Sequence, residues 1–247
     1  MGIIFNKDVS KGEVMFDKMS RKIDEFQSII TYRFKDIVVL KEALTHSSYA
    51  KESKNGKIAY NERLEFLGDS ILGLVVSDYI FNRYAALPEG ELTKIRANVV
   101  CESSLAERAL KIDLGKFLRL GKGEQLSGGR KRVSILADAM EAVIGALYID
   151  GGLDVARKFV LATFIENVEL AARGKLNKDY KTQLQELWQG KSKEKICYKV
   201  VGEAGPDHNK IFEIELSIGS RVLGIGKGKS KKEAEQESAK KALEKMV

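Results

Sequence analysis

From Phe16 to about Leu170 the apolar residues recur at helical spacing and strand signals are scarce. Short breaks fall at Lys54-Asn55-Gly56, Leu87-Pro88-Glu89-Gly90, Leu126-Ser127-Gly128-Gly129 and Asp150-Gly151-Gly152. This predicts an all-helical domain. Within it, Leu64, Leu67, Ile71, Leu74 and Val75 form one apolar stripe, while Glu65, Asp69, Leu72 and Val76 form a second that begins acidic and ends apolar. Such a helix should run from the rim of a core into its centre, leaving Glu65 and Asp69 only partly exposed. The run Ser134 to Ile149 is apolar almost all round, interrupted only by Asp138 and Glu141. After residue 178 the period changes. A short helix over Lys181 to Gln189 precedes alternation at Ile196, Tyr198, Val200 and at Phe212, Ile214, Leu216, Ile218, then a run from Val222 to Ile225. A last helix from Lys231 to about Met246 is expected to bury Ala234, Ala239, Ala242, Leu243 and Met246.

The predicted fold is therefore multidomain, α and α+β: a large all-helical domain followed by a small α-β-β-β-α domain with two helices on one face of an antiparallel sheet. The expected boundaries are an N-terminal extension over residues 1–15, the helical domain over 16–172, a polar linker over 173–178 and the small domain over 179–247. If extended, the linker reaches roughly 20 Å.

The acids within the apolar helices carry the chemistry. Asp138 and Glu141 are neighbours on one helix face, and like charges at that spacing repel. Unpaired ions in such surroundings cost on the order of several kcal/mol each. Two helices that each carry a spaced acidic pair fit the two walls of one carboxylate cage for a hard divalent cation. Ligands that are all oxygen favour Mg2+ or Mn2+. Acids at a solvent edge of two ordinary core helices would show the same pattern, and Glu62 suits a solvated first turn favoured by the helix dipole.

Composition narrows the class. The chain has 247 residues, 44% hydrophobic and 31% charged, which excludes a disordered chain. Its formal charge of +7 favours a polyanionic partner. Cys101 and Cys197 lack metal-ligand spacing and read as free thiols in a reducing compartment, and two histidines, His46 and His208, are too few for a zinc cluster. No apolar run approaches the ~18 residues of a membrane span, and the first residues do not form a signal peptide, so a cytoplasmic protein without a membrane partner is expected.

In the small domain, Lys227, Lys229, Lys231 and Lys232 surround the start of the last helix, where the dipole disfavours positive charge. An anion, such as a phosphate backbone crossing the helix start at Lys229, Ser230, Lys231 and Lys232, would compensate. A solvated lysine-rich turn is the plainer alternative. A nucleotide P-loop is excluded because its first glycine position holds Leu223. Thr182, Gln185, Glu186 and Gln189 share one face of the short helix, and Pro206 and His208 lie in the loop between the first two strands. Such groups can meet ribose 2′-hydroxyls and base edges in a shallow minor groove.

With these motifs in place, the sequence resembles bacterial ribonuclease III from about residue 20 to the end. Asn61 to Ser70 is similar to that family's signature decapeptide, and Asp138-x-x-Glu141 to its second acidic motif. The resemblance implies an endonuclease domain that forms a homodimer, followed by a double-stranded RNA-binding domain. It implies Glu65, Asp138 and Glu141 as Mg2+ ligands, with Mn2+ as a substitute, and Asp69 and Glu141 as catalytic residues. Glu62, Glu89 and Glu124 match further acidic positions. The small-domain residues named above match the family's three RNA-contacting regions. The implied activity is hydrolysis of double-stranded RNA to 5′-phosphate and 3′-hydroxyl ends with short 3′ overhangs, in processing of ribosomal RNA precursors and other structured transcripts. A binding protein with a vestigial acidic site is the rival. A di-iron helix bundle would need Glu-x-x-His pairs that the chain lacks.

Overall fold

The computed structural model describes residues 21–53, 57–174, 180–189, 194–206 and 210–246. The expected extension over residues 1–15, residues 175–178 of the expected linker, His208 and the side chains of Glu186 and Gln189 lie outside them. The chain divides into two compact units, Met1–Leu176 and Asn177–Val247.

The described part of the first unit is helical: residues 21–29 (α1), Ile37–Ala43 (α2), Ser47–Glu52 (α3), Glu62–Arg83 (α4), Glu89–Val99 (α5), Glu102–Lys111 (α6), Leu114–Phe117 (α7), Lys122–Leu126 (α8), a 3-10 turn at Gly129–Lys131, Val133–Gly151 (α9) and Leu153–Ala172 (α10). α9 explains the arrangement. Its residues Leu136, Ala139, Met140, Ala142, Val143, Ile144 and Leu147 are all buried, so it has almost no face to give to water. The helices α2, α4, α6 and α10 pack around it. Each fully buried Leu, Ile or Met contributes about 1.5–3 kcal/mol relative to exposure.

α4 supplies Leu64, Ile71, Leu72, Val75, Val76 and Ile80 to this core. Leu74, expected in the buried stripe, is instead 53% exposed, and Leu67 is half-buried. The helix is apolar on two sides, and spacing alone does not say which side meets the core. At the far end of α9 the Asp150 carboxylate accepts from the Tyr32 hydroxyl at 2.7 Å, the Asp36 N–H at 2.8 Å and the Lys35 N–H at 3.0 Å, tying the segment before α2 to the helix end.

The second unit runs Tyr180–Gln189 (α11), Ile196–Ala204 (β1), Ile211–Ile218 (β2), Arg221–Gly228 (β3) and Lys231–Met246 (α12). The strands form one antiparallel sheet in the order β1-β2-β3. Leu184 of α11, Leu216 and Ile218 of β2, and Ala239 and Ala242 of α12 make its core. Leu243 and Met246 are half-buried. β3 is longer than the expected Val222 to Ile225, because Gly226, Lys227 and Gly228 continue the strand. Glycine reads locally as a breaker, but here Gly224, Gly226 and Gly228 alternate along one face. A Cβ at Gly224 would overlap the Ser238 carbonyl oxygen, and one at Gly226 that of Ala234. Lys227 points the other way and pairs with Glu213 across the ladder at 3.2 Å, so it belongs to the sheet and not to the helix start.

Candidate active site and nucleic-acid face

Asn61, 2% exposed, fixes the entry to α4: its N–H bonds Thr45 O at 2.9 Å and its carbonyl accepts from Glu65 N–H at 2.9 Å. Glu62 and Glu65 occupy the first helical turn, where the dipole favours negative charge. α4 then meets α9 backbone to backbone. A Cβ on Gly68 would overlap the Glu141 carbonyl oxygen, and one on Gly145 would overlap that of Leu64. Glu65 lies about one turn before Gly68 and Glu141 about one turn before Gly145, so this reciprocal contact draws the two carboxylates toward each other.

The result is a group of three. One carboxylate oxygen from each of Glu65, Asp138 and Glu141 lies within 4.8 Å of the others, and all three residues are half-buried. Burial, followed by the charges of Asp69, Glu65 and Asp138, pushes the Glu141 carboxyl up to about 8. Burial and then Asp138, Glu62 and Asp69 raise Glu65. Burial and then the charge of Glu102 raise Asp138, with His46 opposing. Three carboxyls that resist ionisation together, with oxygen donors only, are the donor set of a hard divalent cation.

Asp69 is exposed, beyond the partial exposure expected of it, and is not one of the three, although its charge acts on Glu65 and Glu141. Glu62 is exposed at the same rim. Glu124 lies on α8 and pairs with Arg132 at 2.6 Å. Glu89 begins α5, accepts from the Thr93 hydroxyl at 2.8 Å and lines a groove with Leu74 and Phe81.

Two residues near the group escaped sequence reasoning. Glu102 looks like an ordinary first-turn acid of α6. His46 caps α3, its Nδ1 accepting from Ser48 N–H at 3.2 Å. Only tertiary packing brings them to Asp138, and no local signal in the chain marks them.

In the second unit Thr182, Gln185, Pro206, Lys229, Ser230, Lys231 and Lys232 are all exposed. Ser230 Oγ accepts from Glu233 N–H at 3.2 Å while the Glu233 carboxylate accepts from Lys229 N–H at 2.8 Å, a reciprocal cap on α12. Glu233 therefore supplies part of the negative charge that the lysines at this helix start call for.

Residues 36–168 match the ribonuclease-III-like family, and residues 180–246 the double-stranded RNA binding motif. The chain belongs to the ribonuclease III family. It is 56% identical over 217 residues to ribonuclease 3 of Caldanaerobacter subterraneus subsp. tengcongensis, covering 88% of this chain and 95% of that one. It is 49% identical to ribonuclease 3 of Clostridium tetani, covering 91% and 94%. The nuclease domain of ribonuclease III from Campylobacter jejuni, solved in a study of flexibility in its region involved in dimer formation, superposes with a TM-score of 0.54 at 41% identity, covering 59% of this chain and 97% of that one. Membership makes the protein an endoribonuclease with an all-helical catalytic unit and an appended double-stranded RNA-binding unit. Among the described residues, no helix is long and apolar enough to cross a membrane.

Proposed function

We propose that this protein hydrolyses phosphodiesters of double-stranded RNA with Mg2+, leaving 5′-phosphate and 3′-hydroxyl ends with short 3′ overhangs. The observation that carries the reading is the convergence of Glu65, Asp138 and Glu141 within 4.8 Å, with each carboxyl raised. These three would hold the cation, with Mn2+ as a substitute. When bound, the cation supplies activation of water and stabilisation of charge on the scissile phosphate. Asp69, exposed at the rim, is open to solvent for proton exchange, and with Glu141 it is assigned the catalytic role. Glu62 and Glu89 are assigned supporting roles in RNA processing, and Glu124 a further acidic position near the metal site.

The second unit would read A-form shape over ~16 bp through 2′-hydroxyl and phosphate contacts from Thr182, Gln185, Glu186, Gln189, Pro206, His208, Lys229, Ser230, Lys231 and Lys232. A homodimer, each copy cutting one strand, is favoured by an apolar stripe on the outer side of α4: Phe66, Leu74 and Phe81 are 79%, 53% and 69% exposed. Their spacing of eight and seven residues keeps them on one face. The relative from Campylobacter jejuni, with its region involved in dimer formation, points the same way. Processing of ribosomal RNA precursors and other structured transcripts in the cytoplasm is the role this activity suits.

The test is incubation with long, perfectly paired, end-labelled RNA in Mg2+ and separately in excess chelator. Short duplexes with recessed 5′ ends, formed only with metal, are expected. Retention of uncut RNA in both conditions would overturn the reading.

A further inference from the structure

At the end of α9 remote from the carboxylates, a cavity of about 640 Å³ opens between the turn after α1, the last turn of α6 and the first half of α10. That volume is in the range of small-molecule pockets, roughly 300–1,000 Å³. Ile30, Ile112, Leu147, Val155 and Phe159 give it an apolar lining. Among the described residues its charge has one sign: Arg108, Lys111 and Lys158 line it, and no carboxylate does.

These cations are incompletely matched. Arg108 is 6% exposed, with Nη1 donating to Glu166 at 2.9 Å and Nη2 donating to Asn167, yet its Nε is buried without a hydrogen-bond partner. Lys111 reaches Glu107 at 3.3 Å and the same Glu166 at 3.4 Å. Lys158 has no partner among the described residues. The backbone here is also unusual. Thr31, which lines the cavity, has φ 54°, and Asp113, next to the lining residue Ile112, has φ 51°; these are the two non-glycine residues with positive φ among those described. A β-branched residue in that region is an outlier that surrounding structure must hold in place.

We propose that this cavity binds a small organic anion: a phosphate or carboxylate head among Arg108, Lys111 and Lys158, and an apolar body against Ile112, Leu147 and Phe159. Leu147 lies six residues beyond Glu141, about 9 Å further along α9, so the site is separate from the carboxylate group. It does not depend on the metal chemistry.

The test follows melting temperature and binding heat of the full chain in chelator, with AMP, decanoate and inorganic phosphate as probes. AMP offers an aromatic body, decanoate an aliphatic one, and phosphate a head alone. A saturable rise in melting temperature with AMP or decanoate, absent with phosphate, is expected, and which of the two acts identifies the body. Ala162→Phe fills the cavity from its exposed edge and should remove the effect. Lys158→Ala should weaken binding about fivefold, the scale of one exposed charge contact; being an unpartnered surface change, it keeps the question decidable if Ala162→Phe does not fold. No saturable response to AMP or decanoate at millimolar concentration, an equal response to phosphate alone, or unchanged affinity in folded variants would overturn the proposal.

Discussion

Gly68 and Gly145 let α4 lie directly on α9, and Gly224, Gly226 and Gly228 let β3 lie directly under α12. The steric device is the same in both units. Around the β3–α12 contact the buried groups are neutral: Ala234, Ala239 and Ala242, with the Ser238 hydroxyl satisfied by Glu235 O at 2.8 Å. Around the α4–α9 contact the same closeness buries Glu65, Asp138 and Glu141 beside one another, and burial first, then neighbouring carboxylate charge, raises all three. Close packing serves stability alone in the small unit. In the large one it holds charges where stability alone would separate them, and that conflict coincides with the proposed catalytic site.

The comparison breaks most visibly at Glu141. Glu141→Ala should lower cleavage of duplex RNA by roughly 10²- to 10⁴-fold, the contribution of a positioned acid or base, while filter-binding affinity for the duplex stays near wild type. Undiminished cutting would remove the site assignment. Deleting residues 179–247 tests the opposite half: duplex affinity should fall at least about tenfold near 0.15 M salt and depend less steeply on salt, because fewer phosphates are contacted, with cutting retained at low salt in Mn2+. An inert truncated protein under those conditions would refute the division of labour.

Steric matching of the two contacts can then be compared directly. Gly68→Ala and Gly226→Ala should each destabilise by about 1–3 kcal/mol, read from urea midpoints, because a methyl group would meet carbonyl backbone that cannot step aside cheaply. Only Gly68→Ala should also disturb cleavage at saturating RNA. Equal effects of both on the cleavage rate would show that the α4–α9 spacing has no special role.

The smallest effect is electrostatic. Glu141 has a folded value of about 8 against an unfolded value near 4.5, so the folded state holds the extra proton. In chelator its contribution to stability is therefore greatest in acid and is lost as pH rises from about 4.5 to 8. Glu141→Gln should melt about 2–4 °C higher than wild type at pH 8 and no higher at pH 4. A variant that melts lower at pH 8 would reverse the sign. Asp150 behaves in the opposite sense. Burial pushes it up, but the Asp36 and Lys35 N–H groups and the Tyr32 hydroxyl outweigh that and hold it below the ordinary carboxylate range. Its contribution is present above the unfolded value near 3.9 and disappears in stronger acid, so the destabilisation of Asp150→Ala should shrink below about pH 4.

Much of this was legible in the chain. Helical spacing up to about Leu170 and the alternation at Phe212, Ile214, Leu216 and Ile218 carry the order of elements, since each reflects one buried face. Asp138 and Glu141 stood out because α9 has no other charge between Val133 and Ile149. Three things were hidden. Leu74 belongs to an apolar helix with two greasy sides, Gly226 and Gly228 extend a strand by lacking the side chains that normally announce one, and Glu102 and His46 reach Asp138 only through packing of distant segments.

The raised Glu141 carboxyl makes the site an exchanger. At neutral pH the proposed Mg2+ would have to drive a proton off that oxygen and into the buffer, so its uptake should carry a heat that varies with the buffer's own ionisation enthalpy and an affinity that climbs with pH. On that reading acid would compete with the cation for the same oxygens, and a falling pH should slow cutting by withholding the metal.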